Sequence, residues 1–134
     1  MKLLSASILA AALLAGCGSY SPMSKSTSAS MPDTPTRTAD GVLVGPNGMT
    51  LYVFDRDTAG SGKSVCNGPC ATNWPPLIPT STAQPMGDYT IITRDDGSRQ
   101  WAMKGKPLYY WVKDSKPGDK TGDNFMNVWH VAKP

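Results

Sequence analysis

Hydrophobic residues in this chain fall into three regimes. From Leu3 to Leu14 they run almost unbroken, interrupted only by Ser5 and Ser7. From Ser19 to Asp40 they recur with no period, and ten of the 22 positions are Ser or Thr and three are Pro. Beyond Asp40 short apolar runs alternate with turn residues. Val42–Val44 precedes Gly45-Pro46-Asn47-Gly48, and Thr50–Asp55 (TLYVFD) is aromatic and β-branched, so the two runs predict a hairpin. Tyr89–Arg94, Gln100–Met103, Leu108–Lys113 and Val128–Val131 predict further strands, parted by Asp95-Asp96-Gly97-Ser98 and Lys104-Gly105-Lys106-Pro107. Only the stretch around Cys70–Asn73 has the makings of a helical turn. The expectation is a mainly β fold: a small β-rich domain of hairpins and meander over 41–134, with little helix. Alternation puts Leu51, Val53 and Asp55 on one face of TLYVFD and Tyr52, Phe54 and Arg56 on the other. Both faces carry bulk, which predicts a strand covered on both sides.

Composition narrows the class. All ten acidic residues are Asp, and only two Gln accompany 12 Pro. That is poor material for long helices and argues against a helical bundle. A formal charge of +3 over 134 residues, without a clustered basic face, does not fit a nucleic-acid reader.

The first apolar run, after Met1-Lys2, reads as an export signal over 1–16, too short to span a bilayer. It ends in Leu14-Ala15-Gly16-Cys17, which resembles the lipobox of bacterial lipoproteins. The resemblance implies cleavage before Cys17 and acylation of its thiol, with several acyl chains giving stable membrane attachment. Gly18 stands where an Asp would favour inner-membrane retention, so the same resemblance implies an outer-membrane anchor facing the periplasm. The alternative is the outer face of a cell membrane. Residues 17–40 then read as a lipidated cysteine followed by a disordered tether, since such a composition cannot bury enough surface to offset its ordering entropy.

The domain repeats itself. Asp40-Gly41, GMTLYVFDRD from Gly48, and Trp74 return as Asp96-Gly97, GKPLYYWVKD from Gly105, and Trp129, with repeats over about 40–80 and about 88–132. In each copy a Tyr is followed five positions later by an Asp: Tyr52 with Asp57, and Tyr109 with Asp114. Together with CNGPCATNWPPL and the closing VWHV, these motifs resemble a family of bacterial lipoproteins carrying secreted tandem repeats with a Tyr-x4-Asp motif. The resemblance implies an exported, usually lipid-anchored repeat domain of undefined biochemical role. The copies differ: the second has no counterpart of Cys66 and Cys70, and the first has no counterpart of His130. On physical grounds the repeated Asp falls in the turn after the strand, where a carboxylate accepts backbone N–H bonds. The motif is thus a strand-and-turn staple or a ligand contact.

Candidate chemistry is sparse. Cys66 and Cys70, in an exported chain, most simply form a disulfide. Their C-x3-C spacing is also similar to that of copper-delivery proteins of the thioredoxin class, which need a βαβ scaffold. Copper or thiol redox through Cys66, Cys70 and His130, with Met126 as a soft ligand, is therefore the alternative function. Acid–base hydrolysis finds no G-x-S-x-G, H-E-x-x-H or phosphate loop, and no spaced calcium loop occurs. The pairs Asp55/Asp57 and Asp95/Asp96 read as solvated turn residues. Four Trp and five Tyr could line a groove for polysaccharide or peptidoglycan, although a domain this small needs them first for its core. The reading is a lipid-anchored cell-envelope protein, a non-enzymatic binding or structural module without a cofactor. Its partners are the membrane through the anchor and an envelope protein or glycan, not nucleic acid.

Overall fold

The computed structural model describes residues 35–134. The export signal, Cys17 and the tether up to residue 34 lie outside the described residues. Among the described residues seven short strands form three small antiparallel sheets. β1 (Arg37–Ala39) pairs with β2 (Val42–Val44), and β3 (Tyr52–Phe54) pairs with β7 (Trp129–Val131). β4 (Tyr89–Thr93), β5 (Arg99–Met103) and β6 (Lys106–Pro107) form the third. One helix, α1 (Pro69–Asn73), and a 3-10 turn at Phe125–Asn127 complete the elements of the described residues. No helix among the described residues is long and apolar enough to cross a membrane.

The mainly β expectation holds, with three corrections in detail. First, β1 lies inside the stretch expected to be tether, so the ordered domain begins before residue 41. Asp40-Gly41 is the reason: both residues have positive φ, 52° and 80°, as a two-residue hairpin turn requires, and they fold Arg37–Ala39 back onto β2. Second, the hairpin expected between Val42–Val44 and TLYVFD is reduced to one bridge, Val44 to Thr50, with its two bonds from Gly45 N–H to Met49 O and from Leu51 N–H to Leu43 O. From Tyr52 the chain leaves β2 for β7. Third, Leu108–Lys113 is not a regular strand. Its amides go in turn to different segments, Tyr109 to Tyr52 O, Tyr110 to Pro75 O and Val112 to Asn73 O. Pro75 and Pro76 have no N–H to return, so no ladder can propagate there. The helical turn does form where expected, with Pro69 in its first turn and its end at Trp74, just before Pro75.

The strands converge in two rings of backbone hydrogen bonds. Leu43 N–H donates to Ala132 O (2.8 Å), Ala132 to Leu51 O (2.8 Å), and Leu51 to Leu43 O (3.0 Å). The second ring repeats the pattern: Trp101 to Leu77 O (2.9 Å), Leu77 to Leu108 O (2.9 Å), and Leu108 to Trp101 O (3.0 Å). In each ring two residues come from one repeat and the third from the other. Their side chains, with Met103, make one buried cluster. Along the strand the next residues, Tyr52 and Tyr109, turn to the opposite face and join Cys66, Trp74, Trp111 and Trp129 in a second cluster. The expectation that TLYVFD is covered on both faces is met: Leu51 and Val53 pack in the first cluster, Tyr52 and Phe54 in the second.

Candidate functional site

The repeated motif meets itself at the second cluster. Tyr52 N–H donates to Tyr109 O (2.8 Å), and Tyr109 N–H donates back to Tyr52 O (3.0 Å). This reciprocal pair is the mark of a two-fold relation between the repeats. Both side chains then cross it. The Tyr52 hydroxyl donates to Asp114 Oδ2 at 2.7 Å, and the Tyr109 hydroxyl donates to Asp57 Oδ2 at 2.6 Å. Each Tyr-x4-Asp motif therefore joins the two repeats rather than stapling its own strand to its own turn. The spacing is what makes the crossing: it carries the carboxylate beyond its own tyrosine and under the tyrosine of the other copy.

The second oxygen of each carboxylate fixes a loop, as expected of an Asp in a turn. Asp57 Oδ1 accepts the Val65 N–H (2.8 Å), and Asp114 Oδ1 accepts the Thr121 N–H (3.0 Å) and the Thr121 hydroxyl (2.6 Å). Asp57 is thus not the solvated turn residue its pairing with Asp55 suggested; it is buried. Burial raises the Asp57 pKa, against the opposing pull of the Tyr109 hydroxyl, the Val65 amide and the nearby Arg94 charge. Both tyrosines are fully buried and hydrogen-bonded to carboxylates, and desolvation first, then the bonded Asp, pushes each phenol well above its ordinary value.

Around the tyrosines the aromatic rings obey the same symmetry. Phe54 stacks on Trp129 (4.1 Å between centroids), Trp129 on Trp74 (3.8 Å, 3° between planes), and Trp74 on Trp111 (4.0 Å). The stack alternates between repeats at every step. Tyr52 meets Trp74 edge-on at 5.3 Å, and Tyr109 meets Trp129 edge-on at 5.0 Å. All four Trp, including Trp101 in the other cluster, are buried in the core, whereas Tyr89 and Tyr110 are half-buried.

Sequence reasoning missed the buried cation of the site. Arg94 donates through Nη1 to Gln100 Oε1 (2.7 Å) and Ser64 Oγ (3.1 Å), and through Nη2 to Cys66 O (2.5 Å). Gln100 Nε2 in turn donates to Leu108 O (2.8 Å), and Ser64 Oγ lies 2.6 Å from the Tyr109 hydroxyl. The signal was present in the alternation of Tyr89–Arg94, which puts Arg94 on the same face as buried Ile92.

The remaining candidates do not gather into one site. Cys66 and Cys70 are bonded to each other, which takes up both thiolates that a copper pair would need. His130 Nε2 instead lies 2.8 Å from Asp55 Oδ2 at the surface. Met126, 75% exposed, sits on the 3-10 turn. Among the described residues no three His, Cys, Asp or Glu side chains come together as a metal-binding group.

Two stretches, residues 34–78 and 90–133, match a family described as a secreted repeat of unknown function. The chain belongs to this family. The matched repeats coincide with the two halves related by the Tyr52–Tyr109 pair, and the first begins ahead of β1, as the fold requires. No curated protein and no solved structure matches the chain. In this secreted repeat protein the two copies keep the Tyr, Asp and Trp of the centre and differ at its flank. The first carries the disulfide-closed loop and α1 before Trp74. The second carries, before Trp129, a turn with Asn124, Met126 and Asn127 all at positive φ (62°, 51° and 61°).

Proposed function

We propose that the protein is a lipid-anchored envelope protein, held by acyl chains on Cys17 in the outer membrane facing the periplasm. Its folded part is a rigid, non-enzymatic module that binds or organises another envelope component. One observation carries the non-enzymatic part of this reading. The polar groups of the centre, Tyr52, Asp57, Arg94, Gln100, Tyr109 and Asp114, are all bonded to one another or to the backbone inside the fold. A catalytic constellation holds polar groups toward a reacting atom; this one spends them on joining two halves. Membership of a secreted family supports export, and Leu14-Ala15-Gly16-Cys17 supports the anchor. The test is acyl labelling and membrane fractionation of the full chain beside a Cys17→Ser variant. Label and outer-membrane retention in the parent, both lost in the variant, are expected. An unlabelled parent recovered in the soluble periplasmic fraction would overturn the anchoring.

A further inference from the structure

Within each repeat the strand pairing is confined to local hairpins; the pairings that complete the cores run between repeats. β3 pairs with β7, each backbone ring borrows its third member from the other repeat, and both Tyr–Asp bonds cross. Each repeat is also close to the size, about 40 residues, below which a chain seldom folds alone. We infer that the repeats are half-domains, and that the partner the crossed centre fits is a second copy of this chain. Two chains exchange halves, repeat 1 of each folding with repeat 2 of the other.

The exchanged dimer needs no new interface, because every bond between the two halves reappears in it twice and only ties of the link itself are given up. The covalent link to be opened is residues 79–88. It is mostly exposed, and it holds Pro79, Pro85 and Gly87. Its ties are few: Thr80 O and Ser81 O accept from the half-buried Arg99, Ala83 packs against the first cluster beside the buried Pro79, Met86 bridges Tyr89, and Asp88 O accepts the Lys104 N–H within the second repeat. Ten extended residues reach roughly 35 Å, enough to lead one half away from its own partner. What favours the closed monomer is the effective concentration of one half for the other, on the order of mM for a short flexible link. Exchange therefore rises as the concentration of chains approaches that value.

The experiment uses the full chain without its acyl group (Cys17→Ser), in a form carrying a protease site inserted between Thr82 and Ala83. It is unfolded with the disulfide intact and refolded from about 10 μM to about 1 mM. Size-exclusion chromatography with light scattering should show the dimer rising from under about a tenth of the protein to about half. Cutting the inserted site in the isolated dimer decides its nature, since an exchanged dimer must fall into two monomer-sized particles, each holding both halves. A dimer that survives the cut intact, or no dimer even at the highest concentration, overturns the proposal. The same refolding of the chain without the inserted site, from mixed ¹⁵N-labelled and unlabelled protein, guards against an effect of the insertion. Mixed-mass dimers are expected, and their absence counts against exchange.

Discussion

Replacing Tyr109 with Phe removes one hydroxyl and nothing else, and the structure states what that hydroxyl does. It donates to Asp57 Oδ2 at 2.6 Å inside a fully buried site and lies 2.6 Å from Ser64 Oγ. A hydrogen bond to a charged group contributes about 1.5–3 kcal/mol, and leaving the acceptor buried without that donor keeps the loss near the upper part of this range. Asp57 Oδ1 still holds the Val65 amide, which prevents a larger collapse. The expected cost is about 2–3 kcal/mol. For a domain of this size, where 1 kcal/mol moves Tm by roughly 4–8 °C, the midpoint should fall by about 10 °C or more. Urea and thermal unfolding of the single and double variants with Asp57→Asn measure it. In the double variant the second substitution should cost clearly less than it does alone, by about 1 kcal/mol or more, because the bond is already gone. Tyr52→Phe should cost a similar amount through Asp114. If Tyr109→Phe stays within about 0.5 kcal/mol of the parent, as an ordinary surface change does, the crossed bonds do not join the repeats and the reasoning fails.

Three further outcomes follow from the same geometry. Both buried phenols have folded-state pKa values raised above their unfolded value of about 10, so their contribution is fully present below that pH and is lost as pH rises through the folded values; unfolding should set in above about pH 10, and less steeply in Tyr52→Phe/Tyr109→Phe relative to its own neutral-pH stability. Arg94→Ala strands Gln100, Ser64 and the Cys66 carbonyl in the interior and should cost about 3–5 kcal/mol by urea unfolding, whereas Arg99→Ala, whose bonds are exposed, should cost under about 1 kcal/mol. Gly122→Ala would set a methyl 2.7 Å from Trp74 and 3.0 Å from Trp111, so it should destabilise by about 1–3 kcal/mol and alter the near-UV circular dichroism of the ring stack.

Local chemistry was legible in the sequence, and long-range pairing was not. The turns at Lys104-Gly105 and Asp95–Ser98 and the single helical turn at Pro69–Asn73 follow from residues a few positions apart, and they stand where expected. The partner of TLYVFD did not. A hairpin with the nearest strand is the local choice, but Tyr52–Phe54 is better satisfied by Trp129–Val131, seventy-odd positions away, where Phe54 and Trp129 also stack. The offset between repeats announced that Tyr52 is equivalent to Tyr109. Equivalence alone does not say that equivalent residues touch; that depends on where the two-fold axis falls, and it falls between these two tyrosines. The strand at Arg37–Ala39 was hidden by its surroundings, since its three residues are exposed and the segment before it is rich in Ser and Thr. Asp40-Gly41, read only as a landmark of the repeat, was the turn that reveals it.

The two-fold relation carries an evolutionary consequence. In a symmetric homodimer each substitution is made twice, so a residue near the axis must suit both environments at once. Fusing the two copies into one chain lifts that constraint, because the halves are then encoded separately. One half here carries a disulfide-closed loop before its Trp; the other carries a left-handed turn presenting Phe125 and Met126 to solvent at the same place. The shared tyrosines, aspartates and stacked rings hold the fold constant while these flanks diverge. A tandem gene of this kind can test new surfaces one half at a time, with the unchanged half keeping the product folded.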